Sequence, residues 1–390
     1  MSGFQAWGLH SKLLSVLSSA RILSPTSIQT LAIPSLLSTR DHHFLAAQTG
    51  TGKTLAYLLP FLHSQIQPQN KHSGLIVTFS RELVLQLDYV LETFKGDSGV
   101  ETALLYAGQK EEEWKPLLGN NQPKLVFGTI DKVVNLTKAG ELSWKGVHEL
   151  VIDECDTLVD CGKVGEIEQL ITQSRRSEQN VRVTLVSATF PRLLEAVLDN
   201  YFSAEQGQTL PYLRRLIDPK AHFNLHHLKH EFILLEDSVS APTLLRLVRD
   251  IAPQLVQNSA VLFCNSIESA KATLALLSSN GYEAVGLHGD ISPKERLRNY
   301  RSFRNLEKRW LVCTDLGSRG LDFPAVSHVL QCDFPKTVSD YLHRAGRTGR
   351  CYRAGTVMTL YRRANEAVMQ HLKNSFHTGV PLTITSSAFS

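Results

Sequence analysis

Residues 46–54, AAQTGTGKT, combine small, hydroxyl-bearing and basic side chains between a short apolar run and a helix-like segment. Gly50 and Gly52 allow the backbone to curl so that successive N–H groups face one anion, and the following helix adds its positive end. Lys53 supplies a countercharge for phosphates, and Thr54 offers a hydroxyl to Mg²⁺. A plain glycine-rich turn is the alternative, but strand, Gly-x-Gly-Lys-Thr and helix together favour a nucleotide site. The residues predicted to bind the nucleotide here are Thr49, Gly50, Thr51, Gly52, Lys53 and Thr54.

A second cluster, ELVIDECD at residues 149–156, ends an apolar run in three carboxylates. Like charges this close repel, so a cation or a catalytic role should accompany them. Beside a phosphate-binding loop, an aspartate at a strand end holds Mg²⁺, which makes Asp153 the predicted metal residue together with Thr54. Glu154 then lies where it can orient and deprotonate an attacking water, whereas Asp156 is expected to bind neighbouring motifs. A solvated strand end with turn residues is the alternative interpretation.

The elements that must position these residues follow the rhythm of parallel-sheet α/β proteins, in which short apolar runs alternate with longer amphipathic stretches. The predicted strands are 42–47, 74–79, 124–129, 149–153 and 182–189 in the first half, and 260–265, 283–289, 309–315, 327–333 and 355–361 in the second. The second half therefore looks like a second copy of the first. Residues 203–227 have mixed charge and few periodic apolar positions, so we interpret them as a connection between domains. The predicted boundaries are 1–207 for domain one, 208–228 for the linker, 229–376 for domain two and 377–390 for a short C-terminal tail.

Length and composition allow this arrangement, since 390 residues suffice for two domains with real cores. The apolar fraction of 43% and the charged fraction of 20% are those of an ordinary globular protein. A formal net charge of +4 is compatible with a polyanionic partner but does not establish one. No apolar run reaches the roughly 18 residues that span a bilayer, so no membrane association is predicted.

Cysteines and histidines show no spacing typical of a metal site. The cysteines contain no CxxC pair, and reduced core thiols in a soluble intracellular protein are predicted. The clustered histidines are expected at the surface or in the linker; they are His42, His43, His226, His227 and His230. The first 40 residues are Ser-rich and lack acidic side chains, as in a transit peptide, but we assign them to the folded core.

Several stretches together resemble the DEAD-box RNA helicases of superfamily 2. DECD at 153–156 resembles the DEAD signature, with Cys155 in place of alanine. SPTSIQ at 24–29 resembles the adenine-reading Q motif, and Ile22 stands where the family often has a stacking aromatic. A glutamine amide can both donate to and accept from the adenine edge, so the resemblance implies that Gln29 selects ATP. It also implies an α/β fold of two tandem RecA-like domains, each a mainly parallel sheet flanked by helices.

Three further stretches of the first half resemble family segments that contact RNA. They are SRELVLQ at 80–86, which resembles PTRELxxQ, YAG at 106–108, which resembles the glycine doublet, and GTIDK at 128–132, which resembles TPGR. The RNA contacts that this resemblance implies are Arg81, Gly108, Thr129 and Lys132. SAT at 187–189 resembles the segment whose hydroxyls join the ATP and RNA sites. The coupling residues that it implies are Ser187 and Thr189.

The second half contains the most specific match: YLHRAGRTGR at 341–350 resembles the last motif of the family, and TDLGSRGLDFP at 314–324 the one before it. The resemblance implies that Arg347 and Arg350 are arginine fingers, which reach the γ-phosphate when the domains close and stabilise the transferring phosphoryl group. Asp322 is implied near the ribose or near those arginines. The RNA contacts implied in this half are Arg296, Thr314, His343 and Arg344.

The family resemblance implies an RNA-dependent ATPase and helicase that uses ATP and Mg²⁺, remodels RNA–protein particles and unwinds short duplexes locally. RNA is expected to be contacted mainly at phosphates and 2′-hydroxyls, in a sequence-tolerant and salt-sensitive way. Two alternatives stay open: an ATP-gated RNA clamp with little unwinding, and a superfamily 2 motor acting on DNA. The altered positions that motivate the clamp are Ile22, Phe79, Ile130 and Pro293.

The shared motifs do not indicate which RNA the protein binds. The chain begins near the Q motif and has about 40 residues after Arg350, so we expect short tails, a monomer, and a protein partner as the source of specificity. The Ser-rich, acid-free start suggests ribosome assembly in a mitochondrion or another organelle.

Overall fold

The computed structural model describes residues 3–66, 72–98, 100–118, 123–190, 192–202, 212–218, 228–235, 241–315, 323, 325–349 and 354–378. The chain divides into two compact units, Met1–Ala221 and His222–Ser390. Each unit is built on one parallel sheet flanked by helices, which confirms the fold predicted for tandem RecA-like domains. No helix in the described part of the chain is long and apolar enough to cross a membrane.

The strands of the first unit are β1 His42–Ala46, β2 Ser73–Thr78, β3 Thr102–Leu105, β4 Leu125–Thr129, β5 Val147–Ile152, β6 Arg182–Ser187 and β7 Leu213–Ile217. Within the described residues they form one sheet in the order β3-β4-β2-β5-β6-β1-β7, and every neighbouring pair is parallel. The five strands predicted for this half correspond to β1, β2, β4, β5 and β6. They are apolar runs because both faces of a central parallel strand are buried.

Residues 213–217 contradict the predicted linker at 208–228, because they form β7 and pair with β1 along the sheet edge. The sequence did not reveal this strand because an edge strand is only partly covered, and the two arginines of β7 are exposed. The first unit continues through Asp218, whose N–H donates to the Ala46 carbonyl over 2.8 Å. The folded part of this unit therefore extends beyond the predicted boundary at residue 207.

The helices of the first unit cover both faces of its sheet. They are α1 Ser11–Ser19, α2 Ser27–Ser38, α3 Lys53–Gln65, α4 Arg81–Ser98, α5 Glu111–Trp114, α6 Ile130–Lys138, α7 Cys155–Asp160, α8 Val164–Arg176 and α9 Arg192–Phe202. Alternate residues of each strand meet opposite helix layers: Leu150 and Ile152 pack in the cluster formed with α6 to α9, whereas Val151 packs in the cluster formed with α1 to α4. This double burial fixes the strand ends that carry the predicted motifs.

The second unit repeats the strand order of the first. Its strands are β8 Leu228–Leu234, β9 Ser259–Cys264, β10 Ala284–Leu287, β11 Trp310–Thr314, β12 Val326–Gln331 and β13 Gly355–Tyr361. Their order is β10-β11-β9-β12-β13-β8. Counted from its own first strand, each unit therefore runs third, fourth, second, fifth, sixth, first, and the first unit adds β7 at the end. The prediction that the second half repeats the architecture of the first is confirmed.

Helices also flank the second sheet. They are α10 Ala241–Ile251, α11 Ile267–Ser279, α12 Pro293–Arg304, α13 Val338–Ala345 and α14 Glu366–Thr378. Buried residues of β9 again alternate, with Val261 and Phe263 in one cluster and Leu262 in the other. His230 lies in β8 rather than in a linker, and its Nδ1 is 2.7 Å from the Tyr341 hydroxyl. His226 and His227 lie outside the described residues.

The surface position predicted for His42 and His43 is wrong, because both are buried in β1. His42 Nδ1 accepts a hydrogen bond from the Val183 N–H over 3.0 Å, and His43 Nε2 lies 2.8 Å from Ser35 Oγ. Burial lowers the pKa of each histidine to about 4, and the positive charge of Arg182 acts in the same direction. Both side chains are therefore neutral structural residues near neutral pH.

Candidate functional site

The carboxyl ends of six neighbouring strands carry the predicted motifs of the first unit. Strands β5, β6 and β1 lie side by side in the sheet. β5 leads into DECD, β6 into SAT, and β1 into the glycine-rich loop. Strands β3, β4 and β2 are adjacent on the other side and lead into the segments that contain Gly108, Thr129 and Arg81. Because parallel strands end at one edge of a sheet, the fold groups the nucleotide motifs together and the predicted RNA motifs beside them.

The loop between β1 and α3 has the backbone conformation that its glycines predict. Gly50 and Gly52 have φ angles of 76° and 84°, in the left-handed region that favours glycine. Helix α3 then begins at Lys53, so its unpaired N–H groups and positive end face the loop. The loop therefore has the backbone conformation that the predicted phosphate cradle requires.

Two side chains of this loop donate hydrogen bonds to its own carbonyl oxygens. Lys53 Nζ donates to the carbonyl oxygens of Ala47 and Gln48 over 2.6 and 3.0 Å. Thr51 Oγ1 donates to the same Gln48 oxygen over 2.7 Å, and Thr49 lies in the intervening turn. The ammonium thus lies inside the loop, where an incoming phosphate would replace the carbonyl oxygens as its partner.

Gln29 ties the Q motif to this loop. Its Nε2 donates to the Gly52 carbonyl over 3.0 Å, and its Oε1 accepts from the Thr26 N–H over 3.0 Å as part of the capping box that starts α2. A Cβ at Gly52 would come within 2.4 Å of that Nε2 and would disturb the Gln29 amide, while the φ of 84° is what requires glycine here. Each amide atom can form one further hydrogen bond. Recognition of adenine by Gln29 stays a prediction.

Tyr57, which no sequence motif singled out, joins the two predicted metal residues. Its buried hydroxyl donates to Asp153 Oδ2 over 2.7 Å, and Thr54 lies beside the same phenol oxygen. The Glu154 N–H donates to Asp153 Oδ1 over 2.8 Å. Tyr57 lies one helical turn after Lys53, a spacing that places both on one face of α3. However, the sequence does not say which strand end that face meets.

Asp153 and Thr54 suit Mg²⁺, which prefers oxygen ligands and is usually held by one or two protein groups together with substrate phosphates. Burial raises the pKa of Asp153 to about 6, and the neighbouring Glu154 carboxylate adds to that shift. A divalent cation beside Asp153 would favour the charged carboxylate again. The donor set and its electrostatics therefore fit the predicted metal.

Glu154 has the features of a residue retained for chemistry. Its φ and ψ of 54° and 48° lie in the left-handed region, which is uncommon for a residue other than glycine. Its Oε2 is buried and forms no hydrogen bond within the described residues. Backbone strain and an unsatisfied buried carboxylate oxygen both cost stability, and such features cluster at active sites.

Asp156 binds the SAT segment, as expected of a residue that contacts neighbouring motifs. Its Oδ2 accepts hydrogen bonds from the Ala188 N–H at 3.1 Å, the Thr189 N–H at 2.7 Å and the Thr189 hydroxyl at 2.8 Å. The Ser187 hydroxyl donates to the Thr189 carbonyl over 2.5 Å. The ends of β5 and β6 are therefore joined through one buried carboxylate.

The changed letter of the signature, Cys155, is a core residue. Its side chain is fully buried, and its thiol donates to the Ile152 carbonyl over 3.1 Å. Burial raises the pKa of this thiol well above its usual value. The cysteine therefore stays protonated. It packs in the core directly after Asp153 and Glu154 in sequence and makes no hydrogen bond to either carboxylate within the described residues.

Two predicted RNA contacts of the first unit lie over aromatic rings. The Arg81 guanidinium is 4.5 Å from the centroid of the Tyr106 ring, and Lys132 Nζ is 4.1 Å from the centroid of the Trp114 ring. No sequence motif predicted a role for either aromatic. Neither ring is close in sequence to the cation that it supports, so the pairing depends on how β3 and its following segment fold.

Gly108 and Thr129 occupy the neighbouring strand ends. Gly108 has a φ of 86°, and a Cβ there would meet no atom within 4 Å, so conformation rather than space requires glycine. Thr129 ends β4 immediately before α6, and its hydroxyl is buried without a hydrogen bond to the described residues. Their contact with RNA stays a prediction.

The structure does not support direct RNA contact by Arg344, whose side chain is fully buried in the second unit. Its Nε and Nη2 donate to the two carboxylate oxygens of Asp315 over 2.7 and 2.6 Å. Nη2 also donates to Asn265 Oδ1 over 2.6 Å, and Nη1 to the Asp333 carbonyl over 2.9 Å. Arg344 thus joins α13 to the ends of β9, β11 and β12. These contacts favour a positioning role for Arg344 over the predicted RNA contact.

The other predicted residues of the second unit that the structure describes lie on or beside β11, α12 and α13. Arg347 follows α13, and its Nε donates to the His343 carbonyl over 3.2 Å; both side chains are buried. Thr314 ends β11. Arg296 lies in the first turn of α12, where its Nη2 donates to the Ile291 carbonyl over 3.3 Å. Asp322 and Arg350 lie outside the described residues, and their roles stay predictions.

Comparison with known proteins agrees with these motifs. Residues 26–197 match the DEAD/DEAH box helicase family, and residues 243–352 match the helicase conserved C-terminal domain. DEAD-box ATP-dependent RNA helicase CshB of Staphylococcus aureus is 31% identical over 359 residues, which cover 92% of this chain and 76% of that protein. DEAD-box ATP-dependent RNA helicase 39 of Arabidopsis thaliana is 30% identical over 403 residues, covering 98% of this chain and 62% of that protein.

Solved structures show the same fold. Saccharomyces cerevisiae Dbp5, bound to RNA and ADP BeF3, has a TM-score of 0.80 and 24% identity over 97% of this chain and 94% of its own. Mss116p, bound to single-stranded RNA and AMP-PNP, has a TM-score of 0.81 and 20% identity over 97% of this chain and 78% of its own. The relatives support the helicase prediction and do not favour the clamp or DNA-motor alternatives. The chain belongs to the DEAD-box ATP-dependent RNA helicases, a family of RNA-dependent ATPases.

Proposed function

We propose that this chain couples Mg²⁺-dependent ATP hydrolysis to RNA binding and to local separation of short RNA duplexes. The observation that carries the proposal is the junction of β5, β6 and β1, where Asp156 joins the DECD segment to the SAT segment through three hydrogen bonds. A shift of the DECD segment on nucleotide binding would therefore move the SAT segment. The adjacent ends of β2, β4 and β3 carry the proposed RNA contacts.

Nucleotide binding would use residues from three elements. The Lys53 ammonium and the N-terminus of α3 would hold the β- and γ-phosphates, and Gln29 would select adenine. Thr54 and Asp153 would hold Mg²⁺, which when bound supplies positive charge to the phosphates. Tyr57 would keep the Asp153 carboxylate in place through the 2.7 Å hydrogen bond.

Hydrolysis would proceed by in-line attack of water on the γ-phosphorus. The water oxygen bonds to phosphorus as the bond to the bridging oxygen breaks, and Glu154 takes the proton that the water loses. Arg347 and Arg350 would stabilise negative charge on the transferring group when the second domain approaches, and Asp322 would contact the ribose or these arginines. The products are ADP and phosphate.

RNA binding across both domains would favour their closure and so raise the rate of hydrolysis. The proposed contacts are Arg81, Gly108, Thr129, Lys132, Arg296, Thr314 and His343. Thermodynamic linkage requires that ATP raise RNA affinity by the same factor by which RNA raises ATP affinity. Contacts to phosphates and 2′-hydroxyls would make binding tolerant of sequence and weaker at high salt.

The test measures ATP hydrolysis and strand separation by the purified chain with Mg²⁺. We expect single-stranded RNA to raise the hydrolysis rate at least severalfold, and ATP to be required for separating a short RNA duplex. An otherwise identical 2′-deoxy strand is the control and should stimulate little. No stimulation by RNA would contradict the proposal. Stimulation without strand separation would favour the clamp, and equal stimulation by DNA would favour the DNA motor.

We also propose that the chain acts as a monomer and that a protein partner supplies specificity for its RNA. Ribosomal RNA in a mitochondrion or another organelle is a substrate to examine; the Ser-rich, acid-free first 40 residues suggested this setting, although they form α1 and α2 of the folded first unit. Crosslinking and sequencing of the RNA bound in cells tests this setting directly.

A further inference from the structure

The segment from Tyr106 to Trp114, between β3 and β4, supplies two aromatic rings to two cations from other elements. Arg81 begins α4, and its guanidinium lies over the Tyr106 ring. Lys132 lies in the first turn of α6, and its ammonium lies over the Trp114 ring. Both distances, 4.5 and 4.1 Å, are within the range of favourable cation–π contacts.

The two rings are fixed by the fold. Trp114 is only 2% exposed and belongs to the apolar cluster of the first unit. Tyr106 packs partly against the opposite cluster, and its N–H donates to Gln109 Oε1 over 2.7 Å. Gln109 Nε2 in turn donates to the Leu104 carbonyl over 3.0 Å, which holds the turn to β3. The rings are therefore rigid platforms under flexible basic side chains.

Such platforms reduce the entropy that the cations lose when they bind an anion. Lysine and arginine have many rotamers, and each must become ordered when it contacts a phosphate. A ring that already holds the charged group restricts those rotamers before RNA arrives. The expected gain is about a two- to fivefold change in affinity for each partly exposed pair.

Lys132 has the greater need of such support. Lysine presents a compact charge on a flexible stem, whereas arginine has a planar fork that is already organised for phosphate. The Asp131 carboxylate next to Lys132 does not hold it, because that carboxylate pairs with Lys163 Nζ at 2.6 Å. The Trp114 ring is thus a fixed contact that keeps the ammonium near the end of β4.

We propose that Tyr106 and Trp114 are positioning residues that hold Arg81 and Lys132 for contact with RNA phosphates. This inference rests on the proposed RNA-binding function of the first unit. Neither aromatic needs to touch RNA, and each acts through the cation that it supports. Removing a ring should therefore weaken RNA binding only while its cation is present.

A double-mutant cycle at Trp114 and Lys132 tests this dependence. The measurement is the affinity of the full chain for a short fluorescein-labelled oligouridine, with a non-hydrolysable ATP analogue and Mg²⁺, over a series of KCl concentrations. We expect W114L to weaken binding about two- to fivefold. K132Q should weaken binding and lower the salt slope by about 0.7, as for one lost contact to single-stranded RNA. In the K132Q background, W114L should change affinity by less than about 1.5-fold.

Two matched variants separate the ring from other effects. W114F keeps an aromatic face and is expected to retain at least half of the wild-type affinity. K138Q removes the same charge from the exposed last turn of α6, and its affinity and salt slope should stay close to those of wild type. ATP-analogue affinity without RNA should be the same in all variants, which shows that the first unit is folded.

The Arg81–Tyr106 pair provides a second cycle in case W114L fails to fold, because Tyr106 is only partly buried. Y106L should weaken RNA binding with Arg81 present and have little effect in an R81Q background. Equal losses with and without the cation in both cycles would overturn the inference and make the rings purely structural. If wild type binds no oligouridine, the proposed function itself fails, which is a distinct outcome.

Discussion

Glu154 illustrates how a single residue departs from what folding alone would select. A left-handed backbone at a non-glycine residue and a buried carboxylate oxygen with no hydrogen bond in the described structure both lower stability. Neighbouring Asp153, in contrast, has a hydrogen-bond donor on each oxygen. The two carboxylates are thus arranged differently, one anchored and one available, as the predicted metal and base roles require.

We predict that Glu154→Gln keeps nucleotide and RNA affinity but lowers the rate of ATP hydrolysis by about 10²- to 10⁴-fold, the range typical of loss of a general base. Single-turnover hydrolysis and fluorescent-nucleotide binding, both at saturating RNA, measure the two quantities. Glu141→Gln, at an exposed position of the same unit, should leave both unchanged. A Glu154→Gln enzyme that hydrolyses ATP at the wild-type rate would exclude this carboxylate as the base.

The family motif assigned Arg344 to RNA, but its three guanidinium nitrogens all donate to groups of the second unit, which argues for a positioning role instead. We predict that Arg344→Gln lowers the free energy of unfolding of the second unit by about 3–5 kcal/mol, because Asp315 would lose its buried partner. Urea denaturation measures the change, and Arg246→Gln on the exposed face of α10 should change it by less than about 0.5 kcal/mol. A stable Arg344→Gln protein with weakened RNA binding would restore the ligand assignment.

At the scale of elements, strand β1 contains two neutral histidines that make the first unit sensitive to acid. In the unfolded chain their pKa is near 6.5, whereas in β1 it is about 4. The unfolded state therefore binds more protons between these values, and the stability that is fully present above pH 6.5 is lost as pH falls toward 4. The full loss is roughly 3 kcal/mol for each histidine, at about 1.4 kcal/mol per pKa unit.

We predict that His43→Gln reduces the pH dependence of the unfolding free energy of the first unit between pH 6.5 and 4, since one of the two histidines no longer titrates. Chemical denaturation at a series of pH values gives this slope. The exposed His371 of α14 provides the control, because His371→Gln should keep the wild-type slope. A slope unaffected by His43→Gln would mean that other groups cause the acid sensitivity. Asp153, whose raised pKa has the opposite effect, is present in all these proteins.

The sequence predicted the central strands well and missed three strands at sheet edges. Central strands such as β2 and β9 are buried at every residue, so their middle residues appear as continuous apolar runs. The missed strands β3, β7 and β8 are all edges, and their partial exposure permits polar or charged residues. β10 is an edge that was predicted, because its four residues, Ala284–Leu287, contain no polar side chain.

Some residues of the candidate site could be recognised from local sequence, whereas others have roles that depend on tertiary contacts. The glycine-rich loop and DECD were recognisable because backbone conformation and charge are encoded within a few residues. Tyr57, Tyr106 and Trp114 were missed because each acts on a residue that is distant in sequence and is brought near by sheet order. Such pairings depend on which helix face meets which strand end, and no local spacing encodes that choice.

At the scale of the whole molecule, the two units share a strand order but not a chemistry. The first strand of unit one leads into the glycine-rich loop, whereas β8, its counterpart in unit two, leads into LEDSVS, which has no glycine and no lysine. The fifth strand leads into DECD in unit one, and its counterpart β12 leads toward the buried Arg344 and Arg347. One architecture therefore supplies acidic and phosphate-binding groups in one unit and arginines in the other.

This division predicts that the first unit alone binds nucleotide but does not hydrolyse it efficiently, provided that β7 is included. Strand β7 covers the edge of β1, Asp218 donates to the Ala46 carbonyl next to the phosphate loop, and Ser27 Oγ donates to Asp218 Oδ1 over 3.2 Å. Without these residues, the edge of β1 would be open to solvent and to pairing with other chains.

We therefore expect a fragment of residues 1–218 to bind a fluorescent ATP analogue with Mg²⁺ and to show no RNA-stimulated hydrolysis. A fragment of residues 1–207 should melt at a lower temperature or aggregate, and should bind the analogue more weakly. Thermal melting, light scattering and nucleotide titration compare the two. Equal stability and affinity would show that β7 is dispensable and that the boundary near residue 207 was adequate. RNA-stimulated turnover by the longer fragment would show that the arginines of the second unit are not needed for catalysis.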